Sequence, residues 1–174
     1  MLEQGIASAV IFEDDIDLTP DFATLLDQGA GLPSIFSAND PAMVQLTHVR
    51  RGYRFGTRKI GRYEIVRPHG GVWLTSGYFI TLAAARRILE GAYPVRTVAD
   101  HWLHFEREGF VKLHALTPNA VWESVLSQDS AIESERQSPP RAHHSLSDHL
   151  IRLWDTTVVR RLLVKKLPRK VAGI

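Results

Sequence analysis

Cysteine is absent from the 174-residue chain, which removes disulfide frameworks, thiolate metal sites and cysteine nucleophiles together. Long apolar runs are missing as well. None approaches the roughly 18 residues of a membrane-spanning helix, and the N-terminus lacks the basic-then-apolar form of a signal peptide. A cytoplasmic protein is therefore expected. Nor does the whole chain carry a strong charge. Its net +2 divides into +6 over residues 152–174 and −4 over the rest, so the body is mildly acidic and the basic character belongs to the tail. The tail's charge suits an anionic partner, but no nucleic-acid-binding signature accompanies it, and no nucleic-acid partner is expected.

What is present suffices for one ordinary core, with 44% of residues hydrophobic. The most informative stretch is VIFEDDIDL, residues 10–18. Apolar Ala9–Phe12 lead directly into Glu13, Asp14 and Asp15, with Asp17 close behind. An apolar run ending in acids reads as a buried strand whose C-terminal end emerges into a cleft, where open α/β sheets place their ligands. Strand alternation would put Glu13 and Asp15 on one face and Asp14 on the other. Carboxylates this close repel unless a cation sits among them, and a hard divalent ion holding a substrate's phosphates suits them. The competing reading is a solvated acidic turn before the next helix.

Farther along, Thr19 and Pro20 predict a helix running to about Gly29, and Met43–His48 predicts a strand. Residues 50–62 mix six basic side chains with aromatics, suited to phosphates or sugars but more simply a solvated hairpin. Tyr63–Arg67 and Val72–Leu74 read as strands joined by a turn at Gly70 and Gly71. Gly77 interrupts the following apolar run, as glycine does where another group must approach closely. Thr81 caps a helix ending at Gly91, with Leu82, Ala85, Ile88 and Leu89 at helical spacing. Asp100 precedes a short helical pattern, where aspartate is an excellent N-cap, and His104 would share its helical face. Residues 110–116 alternate as a half-exposed strand. The domain reading is an α/β catalytic domain over 1–128, a polar linker over 129–146, and a basic helix or tail over 147–174, with Ser147 capping a helix that reaches Leu167. Rich in arginine, lysine and leucine, that tail suits adsorption to an anionic membrane surface.

VIFEDDIDL, HGGVWLTSGYFITLAAARRIL, the Pro94–Trp102 segment and QDSAIESER occur in the order seen in glycosyltransferase family 25, and the chain resembles that family over about residues 7–135. The family comprises bacterial lipopolysaccharide and lipooligosaccharide β-galactosyltransferases, related to collagen galactosyltransferases. The resemblance implies a partial GT-A-like α/β sheet with flanking helices, a UDP-sugar donor (typically UDP-galactose) and a lipid-linked oligosaccharide acceptor. It also implies a divalent metal, manganese or magnesium, and inversion at the anomeric carbon. Glu13, Asp14 and Asp15 match the family's acidic metal motif. Ser76, Gly77 and Tyr78 match its glycine–tyrosine segment beside the donor sugar. Asp100 matches the aspartate of its proline–valine–aspartate segment, here stretched to PVRTVAD, and is the candidate base that an inverting displacement needs, with His101 as the fallback. Arg67 is a further candidate for holding donor phosphates. Family members carry strand–helix units ahead of the acidic motif, so a truncated chain with an uncovered sheet edge is expected. Alternatives are an inactive or purely binding family member and a peripheral membrane protein, the latter at the inner membrane.

Overall fold

The computed structural model describes residues 1–124, 159 and 161–169. A six-stranded sheet dominates, built from β1 (Ser8–Phe12), β3 (Ala42–Gln45), β5 (Arg58–Ile60), β6 (Tyr63–Val66), β7 (Gly77–Thr81) and β8 (Lys112–Thr117). Its order is β1-β7-β3-β8-β6-β5. Only β3 and β8 are parallel neighbours, and every other pairing in the sheet is antiparallel. The sheet is therefore mixed rather than parallel. Because β7 opposes both β1 and β3, strands β1, β3 and β8 still run the same way, and their carboxyl ends share one edge. Two small ribbons complete the strands: β2 (Ile16–Leu18) with β9 (Val121–Glu123), and β4 (Arg51–Tyr53) with β10 (Val164–Lys166).

Alternation along the strands divides the core in two. On one face Val44, Leu46, Ile65, Phe79 and Leu116 pack beneath Phe22, Leu25, Leu32 and Phe36. Those four come from a short 3-10 helix (Phe22–Leu26) and from α1 (Leu32–Ile35) with its C-terminal flank. On the other face Met43, Ile80, Leu113 and Ala115 pack against Ala84 of α2 (Leu82–Gly91) and against Trp102 and Phe105 of α3 (Trp102–Arg107). Each such large side chain, fully buried, contributes roughly 1.5–3 kcal/mol. Thr81 caps α2 as its sequence predicts, its hydroxyl accepting from the Ala84 amide at 3.4 Å.

Several elements differ from their sequence-based forms. β1 is not a buried inner strand. It lies at the sheet edge, with Ile11 and Phe12 about 40% and 37% exposed. The helix expected from Thr19 to Gly29 shrinks to the 3-10 turn, because the Asp27 carboxylate accepts from the Gly29 and Ala30 amides and bends the chain away. Val72–Leu74 forms no strand: Leu74 takes a left-handed backbone, φ 86°, which breaks the extended run. β8 is largely buried rather than half-exposed, since β3 and β6 flank it and both faces are covered. In α2 Ala84 is buried, whereas Leu89 turns to solvent. The helix expected to reach Leu167 has already ended, since Val164–Lys166 pairs with β4 and buries Val164 and Leu167. Residues 159 and 161–163 are helical, whereas 147–158, 160 and the expected linker lie outside the described residues. Among the described residues no helix is long and apolar enough to cross a membrane.

Candidate active site at the acidic corner

The carboxyl end of β1 meets the start of β7. Phe12 pairs with Gly77 and Ile11 with Tyr78, and the Glu13 amide donates to the Ser76 carbonyl at 3.2 Å. This places Glu13, Ser76, Gly77 and Tyr78 in one corner. The strand stops at Phe12, so alternation does not govern the acids; Glu13 and Asp14 are exposed and Asp15 is half-buried in a bend before β2. The Thr75 hydroxyl donates to the Glu13 carboxylate, and the Asp15 carbonyl accepts from the Ser124 amide at 2.8 Å. Ser76, itself buried, donates from its hydroxyl to Glu123 at 3.3 Å. Glu123 thus adds a carboxylate that the local motif does not contain. Among the described residues no salt bridge neutralises any of these acids.

Gly77 is required here by contact. A Cβ at this position would lie 2.9 Å from Val121 Cγ1, so glycine lets β9 close over the corner. Burial raises the Tyr78 phenol above its usual range, and the nearby Glu13 charge raises it further. The Tyr78 ring meets Trp102 edge-on at 4.7 Å, and Trp102 Nε1 donates to the Leu74 carbonyl at 3.0 Å. The fully buried Gln45 side chain donates to the same carbonyl at 3.4 Å and also to Thr47. Its Oε1 has no hydrogen-bond partner among the described residues. Two side chains thus hold Leu74 in a backbone state that costs on the order of 1–3 kcal/mol for a non-glycine residue.

α3 begins beside this corner through Trp102, which brings the preceding loop with it. Asp100 is half-buried and is not the cap of α3; His101 occupies that position without a side-chain cap bond, and the Asp100 carbonyl accepts from the Trp102 amide at 3.0 Å. His101 stacks on Trp73 at 4.7 Å and 8°, and its Nδ1 lies 3.1 Å from the Thr97 hydroxyl. Asp100 has no side-chain hydrogen bond among the described residues, whereas His101 is held from two sides. Arg67 is not brought to the corner. It follows β6, four strand spacings from β1, or roughly 19 Å across the sheet.

The fit to a metal is specific in chemistry and open in geometry. All the donors are carboxylate oxygens, as a hard cation prefers. Among the described residues, however, no three histidine, aspartate or glutamate side chains converge closely enough to hold an ion by themselves. Such a corner does not form a closed protein cage. It suits a cation that takes one or two carboxylates and completes its shell with phosphate oxygens.

Sequence reasoning located Glu13–Asp15 and Ser76–Tyr78 because each is a contiguous motif. It missed Gln45, Glu123 and the Trp102 contact, which depend on pairings between distant segments; the buried glutamine within a predicted strand was the only local signal. A search of curated proteins gave no match to the chain. The family model for glycosyltransferase family 25, described as an LPS biosynthesis protein, matches residues 1–103, which span the acids, the glycine–tyrosine segment and Asp100. The chain belongs to glycosyltransferase family 25.

Proposed function

We propose that the chain transfers a hexose, galactose from UDP-galactose, to an acceptor sugar of a lipid-linked lipopolysaccharide or lipooligosaccharide, inverting the anomeric centre. The observation that carries this reading is the acidic corner: carboxylates with no salt-bridge partner among the described residues, at the carboxyl end of β1 and locked to the Ser76–Tyr78 segment. Asp15, with Asp14 or Glu13, would hold a manganese or magnesium ion together with the donor's diphosphate. When bound, such an ion stabilises the charge on the departing nucleotide. The half-buried Tyr78 offers an aromatic wall for the donor sugar.

Inverting displacement needs a base on the acceptor hydroxyl, in line with the bond that breaks. Asp100 takes that role in this scheme, since its carboxylate is not tied up by hydrogen bonds among the described residues. His101 is the poorer choice because its ring is stacked and its Nδ1 is engaged. UDP-galactose turnover by Asp15→Asn and Asp100→Asn proteins tests the scheme, with losses of ~100-fold or more expected for each. A variant that keeps near-normal turnover while folding normally removes its residue from the mechanism.

A further inference from the structure

At the opposite end of the same sheet edge lies a 370 Å³ cavity of contrary sign. Lys59, Arg62, Lys165 and Lys166 line it against a single carboxylate, Glu64. Lys59 pairs with Glu64 across β5–β6, and Glu64 with Thr117 across β6–β8, so the three form one row across three strands. Glu64 is already committed: it accepts from Lys165 Nζ at 2.5 Å, and that hydrogen bond is the chief reason its carboxyl lies below the usual range. Arg62 is bridged to Asp21, outside the cavity. Lys59 and Lys166 are exposed and make no salt bridge among the described residues.

The second observation is independent of charge. Thr117 lines this cavity and is 5% exposed, yet its hydroxyl has no hydrogen-bond partner among the described residues. A buried, unsatisfied hydroxyl is costly unless a ligand or solvent group completes it. Excess positive charge together with a waiting hydroxyl donor matches a small multivalent oxyanion.

We propose that this cavity binds a phosphate group. Lysine ammonium groups serve as point charges for phosphate, and the threonine hydroxyl supplies a directed hydrogen bond. The volume exceeds that of phosphate alone and leaves room for whatever carries it. A phosphorylated sugar of the acceptor and a phospholipid headgroup are the two sources of that chemistry. The cavity lies at the carboxyl end of β8, three strand spacings from β1, or roughly 14 Å from the acidic corner. It is therefore distinct from the place assigned to the donor's diphosphate, and its occupancy can be measured without any transfer reaction.

The experiment titrates the full chain with inorganic phosphate and with glucose 6-phosphate at constant ionic strength, with chloride as control. Calorimetry and amide shifts provide the readout. Saturable binding is expected, with shifts centred on Thr117 and Lys166. In a Lys59→Ala/Lys166→Ala protein the affinity should fall tenfold or more. Thr117→Val should bind several-fold more weakly while melting no lower than the parent, because the replacement removes an unsatisfied buried hydroxyl. Flotation with phosphatidylglycerol or phosphatidylcholine vesicles distinguishes the sources. Phosphate-competed binding to the anionic vesicles, lost in the double variant, upholds the site with a headgroup as its ligand. Phosphate binding without vesicle association upholds it with a soluble phosphoester. No saturable phosphate binding beyond chloride overturns the proposal, and so does equal affinity in parent and double variant.

Discussion

The two ends of the sheet's carboxyl edge handle charge in opposite ways. At the β1–β7 end the acids remain in or near water without counter-ions among the described residues, and the surrounding structure is held by an aromatic contact, a close glycine and backbone hydrogen bonds. At the β6–β8 end two of the four cations are paired: Lys165 holds Glu64, and Arg62 joins Asp21 in a network that includes the hydroxyls of Tyr63 and Thr19. Pairs as open to water as Arg62–Asp21 add little to stability. Their effect is to fix which cations remain unmatched. At either end, the charge left unmatched among the described residues marks where a ligand is expected.

The largest test of that contrast is Trp102→Ala. Trp102 is 3% exposed and joins Tyr78 to the Leu74 loop, so its loss should cost roughly 3–5 kcal/mol in chemical denaturation. Donor turnover should fall with it, while phosphate affinity at the far end stays unchanged wherever the protein remains folded. A parallel loss of phosphate binding would show that the two ends are not independent.

His114 sharpens the comparison on the basic side. Burial, followed by the charges of Arg58, Arg67 and Lys112, pushes its imidazole down to about 4, with Asp40 opposing. The folded protein therefore holds a neutral ring against Phe36, whereas the unfolded chain binds a proton near the ordinary value. Stability is complete above about pH 6.5 and falls as the pH drops towards 4, by roughly 3 kcal/mol in all. Denaturation curves for His114→Gln should lose most of that slope. An unchanged slope would place the acid sensitivity elsewhere.

The smallest effect belongs to Gly77→Ala. The added methyl meets Val121, and crowding of this kind costs roughly 1–3 kcal/mol, towards the low end if β9 gives way. Thermal melting measures the cost. A melting point equal to the parent's would mean that β9 closes less tightly over the corner than the 2.9 Å contact indicates.

Legibility in the sequence followed the range of the forces involved. β1, β6, β7 and α2 were readable because an apolar run, a glycine or a threonine cap acts within a few residues. Long-range packing overrode local pattern elsewhere. The alternation of β8 suggested a half-exposed strand, but neighbours on both sides and Phe36 above His114 buried it. Val72–Leu74 had strand-like composition, yet the bonds from Trp102 and Gln45 to the Leu74 carbonyl hold a different backbone. Val164–Lys166 looked helical until β4 offered an open edge more than a hundred residues earlier in the chain. The site followed the same rule: its contiguous motifs were visible, and the glutamine, tryptophan and second-strand glutamate that complete it were not.

β1 has one ladder partner among the described residues, so its outer row of amides and carbonyls is a template on which another strand could add. If two copies paired there in parallel register, each Glu13, Asp14 and Asp15 would fall beside its own twin at about 4.8 Å. The repulsion disfavours that assembly and leaves other strands free to add. The residues proposed to grip a cation would then also disfavour self-pairing of β1 in that register.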